Sequence, residues 1–135
     1  MKIDARIAFT ASNTEFVELS EIERFPDDSG YVSVIRVGSG EFACSGKKFY
    51  FADLPGFLED LKRSYQAVRG HAELRTQYEE EFVRFEFTAR GHVVVSGLVR
   101  EYGNFDRMLR FGFEADQSFV PPFLASIEGV VAVLK

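Results

Sequence analysis

The chain contains no tryptophan, one cysteine and two histidines. With Cys44 alone, no disulfide can close within the chain, and an isolated thiol in an alternating segment reads as a small core residue. His71 and His92 stand far apart, and neither has a cysteine or second histidine at metal-ligand spacing, which argues against a zinc site. There is no glycine-rich phosphate loop and no Gly-x-Ser-x-Gly elbow. No catalytic residue, metal or cofactor is therefore expected. Basic residues are in the minority, 16 against 21 acidic, for a net charge of −5. Nucleic acid is disfavoured as a partner, because phosphate binding needs a basic footprint. The first twelve residues carry Lys2, Asp4 and Arg6 and lack the apolar run of a signal peptide. No uncharged stretch reaches the span of a membrane helix. The expected setting is the cytoplasm, away from membranes.

What the chain has is phenylalanine. Fifteen Phe and five Tyr among 135 residues supply the material of one core, so a single domain over 1–135 is expected. The clearest stretch is 82–115. Val83, Phe85 and Phe87 alternate with Arg84, Glu86 and Thr88, and Leu109, Phe111 and Phe113 repeat the pattern with Arg110 and Glu114 outward. Between them Val93, Val94 and Val95 mark a more buried strand. Register selects the first turn. A three-residue loop, Ala89-Arg90-Gly91, sets Phe87 opposite Val93, Phe85 opposite Val95 and Val83 opposite Gly97, with Gly91 left-handed. Gly97 then leaves room for a neighbouring Phe ring.

The preceding chain also alternates. Ile3, Ala5, Ile7 and Phe9 predict one strand. Residues 15–25 fit a strand, with a short amphipathic helix as the competing reading. Pro26 to Gly30 is a loop, and 31–37 is a β-branched strand. The next strand runs from Glu41 to Phe51 with Phe42, Cys44, Phe49 and Phe51 inward, a bulge or inner turn at Gly46, and Lys47 and Lys48 in water. Leu54, Phe57, Leu58, Leu61, Tyr65 and Val68 form a helical stripe over about 53–69. Asp53 caps that helix, Pro55 lies in its first turn and Gly70 ends it. Residues 71–78 are expected to form another strand, with Ala72, Leu74 and Thr76 on one side. A second helix is expected over about 120–134, opened by Pro121 and Pro122, with Asp116 and Ser118 as caps and Gln117 satisfying a backbone group.

Two acidic clusters stand out. Asp27-Asp28 lies in a loop, and Glu79-Glu80-Glu81 precedes the meander. Three adjacent acids repel one another and suit a solvated tip better than a buried site. All five residues are the candidates for contact with a partner.

The runs ARGHVVVSGLVRE and MLRFGFEADQSFVPPFLASI resemble the WapI-type bacterial immunity proteins and related domains of unknown function. The residues that carry the resemblance are Gly91, His92, Val93, Val95 and Gly97, then Leu109, Phe111, Phe113, Asp116, Gln117 and Ser118. The helix opening ADLPGFLEDLKRSY matches as well. The likeness covers about 40–135, and the first 40 residues match loosely. It implies a cytoplasmic antidote that binds a cognate toxin, in some cases a nuclease, and it implies no catalytic residues.

Together these readings predict an α+β, antiparallel β-rich single domain. It has seven or eight strands in a sandwich or curved meander, a mid-chain helix and a C-terminal helix. The leading function is an immunity protein that covers a toxin with an acidic face. Two alternatives come from other classes. One is a small-ligand carrier or enzyme with a Phe-lined cavity between helix and sheet. The other is a subunit that forms homo-oligomers through an exposed strand edge.

Overall fold

The computed structural model describes residues 2–78 and 80–134. The ladder segments are β1 (Lys2–Ile3), β2 (Ile7–Thr10), β3 (Glu15–Arg24), β4 (Tyr31–Ser39), β5 (Phe42–Phe51), β6 (Gly70–Arg75), β7 (Phe82–Phe87), β8 (His92–Glu101) and β9 (Arg107–Asp116). The helices are α1 (Leu54–Ala67) and α2 (Val120–Leu134). β1 and β2 both pair with β3 and are the halves of one interrupted strand, so the fold has eight strands. The expected single strand is broken at Asp4–Arg6, where Ala5 is exposed rather than inward. Every ladder is antiparallel. The first sheet runs β1/β2-β3-β4-β5 and the second β6-β7-β8-β9.

The second sheet has the expected register. Phe87 pairs with Val93, Phe85 with Val95 and Val83 with Gly97. Gly91 is left-handed, with φ +81°. Across β8–β9, Gly97 pairs with Phe111, and a Cβ added at Gly97 would lie 2.5 Å from that ring. The missing side chain is what lets the ring lie on the backbone.

Residues 15–24 are strand, and a bulge explains why they also fit a helical spacing. The register shifts between Ser20 and Glu23, and Glu21 has φ 49°. Val17 and Leu19 face inward in alternation, and the bulge then brings Ile22 to the same face. A second shift, between Ile35 and Val37, is the bulge expected at Gly46.

In β5 two expectations fail. Phe49 and Phe51 are buried, but Phe42 is 68 % exposed, because it pairs with Ser39 beside the turn and lies beyond the core. Lys47 is not in water: its side chain is largely buried and ion-paired with Glu81.

Asp53 caps α1, accepting from Gly56 N at 2.9 Å, and Pro55 sits in the first turn. Gly70 does not end the helix. The left-handed residue is Val68 (φ 57°), and the N–H of Arg69 donates to Ser64 O at 3.2 Å. Gly70 instead opens β6. Asp116 accepts from Ser118 N at 2.8 Å and so caps a short 3-10 turn, Gln117–Phe119, that leads into α2. Ser118 lies within that turn instead of capping α2, and Gln117 donates to the carbonyls of His92 and Thr88 as expected.

The sheets face each other across phenylalanine. Phe9 of β2 lies 5.5 Å from Phe85 of β7 and 6.3 Å from Phe113 of β9, centroid to centroid. α1 packs on β6 and β7, and α2 on β2 and α1. Phe57 and Phe123 bring the helices onto Phe85 at 5.8 and 4.8 Å. The space between helix and sheet that could have held a ligand is thus occupied by rings. Each buried Phe contributes about 1.5–3 kcal/mol by transfer, and each ring pair roughly 0.5–1.5 more. The segment Gln117–Leu134, of mean hydropathy 1.4, is long and apolar enough by composition to cross a membrane. Here it buries Val120, Phe123, Ile127, Val130 and Leu134 and carries Glu128 outward.

Candidate functional site

β5 is the last strand of the first sheet, and three depressions follow it from end to end. The first, of about 260 Å³, lies between residues 43–47 and the arms of the β8–β9 hairpin, with Met108 at its side. The second, of about 460 Å³, is bounded by Lys47, Tyr50, Glu101 and Tyr102. The third, of about 380 Å³, lies between the β3–β4 loop and the β6–β7 loop and is lined by Phe25, Tyr31, Tyr50, Thr76 and Tyr78. Lys47 is common to the first two and Tyr50 to the last two, so the depressions adjoin.

Large side chains stand exposed along this course. Tyr78 is 87 % exposed, Phe105 69 %, Tyr102 60 % and Tyr50 39 %. Clustered exposed aromatics mark interaction surfaces, whereas single ones do not. Tyr and Arg are also the residues that dominate binding energy at protein interfaces. Sequence reasoning did not find this cluster, because its members come from β5, the β6–β7 loop and the β8–β9 turn.

Between the rings runs a charged network. Glu81 is only 2 % exposed. Its Oε1 accepts from Lys47 Nζ and, at 2.8 Å, from the backbone N–H of Arg100. The Arg100 guanidinium bonds Glu80 at 2.8 Å and Asp106 at 2.8 Å and lies 5.6 Å from the Tyr102 centroid. Asp106 foremost, then the bonds to Glu80, holds the guanidinium above its ordinary range, so it remains a cation. Arg107 bonds Glu101 at 2.7 Å and sits over Phe105 at 5.4 Å. Each cation is thus paired with an acid and lies near a ring.

The five acidic candidates have different fates. Glu79 lies outside the described residues. Glu80 is exposed at the network's rim. Glu81 is buried, which corrects the expectation of a solvated tip: its charge is met by Lys47 from the other sheet. Asp27 and Asp28 are exposed in the β3–β4 loop. Asp27 accepts from Ser29, which holds its carboxyl below the usual range. Asp28 pairs with Arg24 and has φ 59°. Asp27 does not line the third depression but borders an adjoining shallow recess that shares Phe25 and Ser29 with it. Among the described residues, no three His, Cys, Asp or Glu side chains gather as a metal set.

The family model described as "Immunity protein WapI-like family" matches residues 6–134. The match reaches well beyond the region of resemblance seen in the motifs and includes most of the first sheet. No curated protein and no solved structure shows a significant match to the chain.

Proposed function

The chain belongs to the WapI-like immunity protein family, and on that premise we propose that it neutralises a cognate toxin domain by binding it directly. Inhibition comes from occupying the toxin's working surface in the cytoplasm, without chemistry of its own. The observation that carries the proposal is the run of exposed Tyr50, Tyr78, Tyr102 and Phe105 around the ion-paired Arg100. Such rings supply contact area at small entropic cost. The net charge of −5 supports a basic partner, and a nuclease, whose surface must attract phosphate, is the class that fits best. Asp27, Asp28 and Glu80 serve at the rim, where charges set on-rate and partner choice.

The test starts from affinity capture with the full chain, followed by expression of each captured domain in a sensitive host. Relief of growth arrest by the intact chain, and loss of relief with Tyr50→Ala/Tyr102→Ala at unchanged expression, is the expected result. A captured toxic domain that the chain fails to neutralise overturns the proposal.

A further inference from the structure

The depression beside Tyr50 has a property that its neighbours lack. Thr76 lines it, and the Thr76 Oγ1 is buried with no hydrogen-bond partner among the described residues. A buried hydroxyl without a partner is costly, and a rotation of the Thr76 side chain would present it to an incoming donor. The walls are rings in two stacked pairs. Phe25 and Tyr50 lie 6.3 Å apart at 22°, and Tyr31 and Phe51 lie 5.1 Å apart at 3°. Tyr78 stands almost free at the mouth.

The charge around the pocket has one sign on balance. Asp27 and Asp28 lie on the loop that forms one wall. Arg24 is the cation at this end, and its guanidinium is engaged by Asp28 and by the carbonyl of Leu134 at 3.3 Å. Burial pushes the Tyr31 phenol up. Arg24 opposes that, and Asp53 and Asp28 add to it.

We infer that this pocket receives an arginine side chain of the partner protein. A guanidinium is planar and stacks on ring faces, carries only donors, and is weakly hydrated enough to enter an apolar recess. Tyr50 and Tyr78 offer the faces, Thr76 Oγ1 an unfilled acceptor once its side chain rotates toward the pocket, and Asp27, in the adjoining recess, a nearby counter-charge. Lysine fits less well, since its compact ammonium is strongly hydrated. A neutral ring would gain nothing from the nearby Asp27 carboxylate. A volume of about 380 Å³ is ample for one such side chain. This deepens the toxin-binding proposal and rests on it for the partner's identity, but the pocket can be tested with no toxin present.

The experiment is an amide NMR titration of the full chain with Nα-acetyl-argininamide, against the lysine analogue and the neutral, nearly isosteric citrulline analogue. The arginine probe should shift Ser29, Thr76 and Gln77 saturably, with Kd in the range of about 1–20 mM. Citrulline should bind roughly tenfold more weakly. Tyr50→Ala should abolish the shifts, and Thr76→Val, of the same shape, should weaken them several-fold with the rest of the spectrum unchanged. Absence of saturable shifts up to roughly 50 mM, equal binding of citrulline, or indifference to both substitutions overturns the inference. Failure here with toxin neutralisation intact removes the pocket alone. Arginine binding without neutralisation removes the immunity reading and leaves the pocket.

Discussion

Glu81, before the first residue of β7, meets Lys47 of β5 and so ties the two sheets together. The carboxylate is buried, and the same oxygen accepts the Arg100 backbone N–H. Removing one member leaves the other charge uncompensated. Glu81→Leu should therefore destabilise by about 2–4 kcal/mol, and Lys47→Met by a similar amount. The double variant Lys47→Met/Glu81→Leu should recover part of that loss, the Arg100 N–H remaining without its acceptor. A double-mutant cycle by urea unfolding measures it, and additive losses would show that the pair does not couple.

Gly97 should tolerate no side chain. A Cβ there lies 2.4 Å from Phe82 O and 2.5 Å from the Phe111 ring. Gly97→Ala should cost about 2–3 kcal/mol or more, since backbone cannot give way cheaply. Gly112→Ala, whose nearest neighbour would be Val95 O at 3.6 Å, is the matched control and should stay within about 1 kcal/mol. Thermal unfolding of the two variants side by side decides it.

Phe85 touches Phe9, Phe57 and Phe123 and so joins both sheets and both helices. Phe85→Ala should lose about 3–5 kcal/mol, a large part of the 5–15 kcal/mol typical of a domain. Calorimetry or denaturant unfolding checks this, and a loss below about 1 kcal/mol would contradict the ring cluster as the centre of the core.

Acid should loosen the 3-10 turn, Gln117–Phe119, that leads into α2. The backbone N–H of Ser118, first, and its hydroxyl hold the Asp116 carboxyl below its ordinary 3.8. A depressed carboxyl stabilises the fold above its unfolded value, and that contribution is lost as pH falls through the folded value. Asp116→Asn keeps an acceptor for Ser118 but has no proton to gain. The stability advantage of the native residue over Asn should therefore be present at about pH 5 and gone near pH 2. A constant difference across that range would contradict the assignment.

The second sheet and both helices were legible in the sequence because their signals are local. Phe85, Val95 and Phe113 alternate without interruption, Gly91 closes a loop of known length, and Asp53 and Asp116 stand where helix caps belong. The failures share a non-local cause. Lys47 lies 34 residues upstream of Glu81, and nothing nearby in the chain says that three adjacent acids include one with a buried partner. Phe42 has the parity of Cys44, but it lies past the edge of the opposing sheet, which alternation does not reveal. Val68 takes the left-handed position because Gly70 is already committed to the ladder with Phe87. The aromatic run along β5 is assembled from three separate segments, so no window of sequence contains it.

The ladders of the first sheet lie within residues 2–51, and those of the second within 70–116. On the ribosome the first sheet therefore has all its pairing partners once Phe51 has emerged. Its inner face of Ile7, Phe9, Leu19, Val37 and Phe49 nevertheless stays bare until Phe85, Phe113 and Phe123 follow. At about 5–20 residues per second, translating that remaining stretch takes roughly 4–15 s. For that interval the nascent chain presents a half-built, phenylalanine-rich surface, which is the kind of substrate that chaperones at the tunnel exit hold.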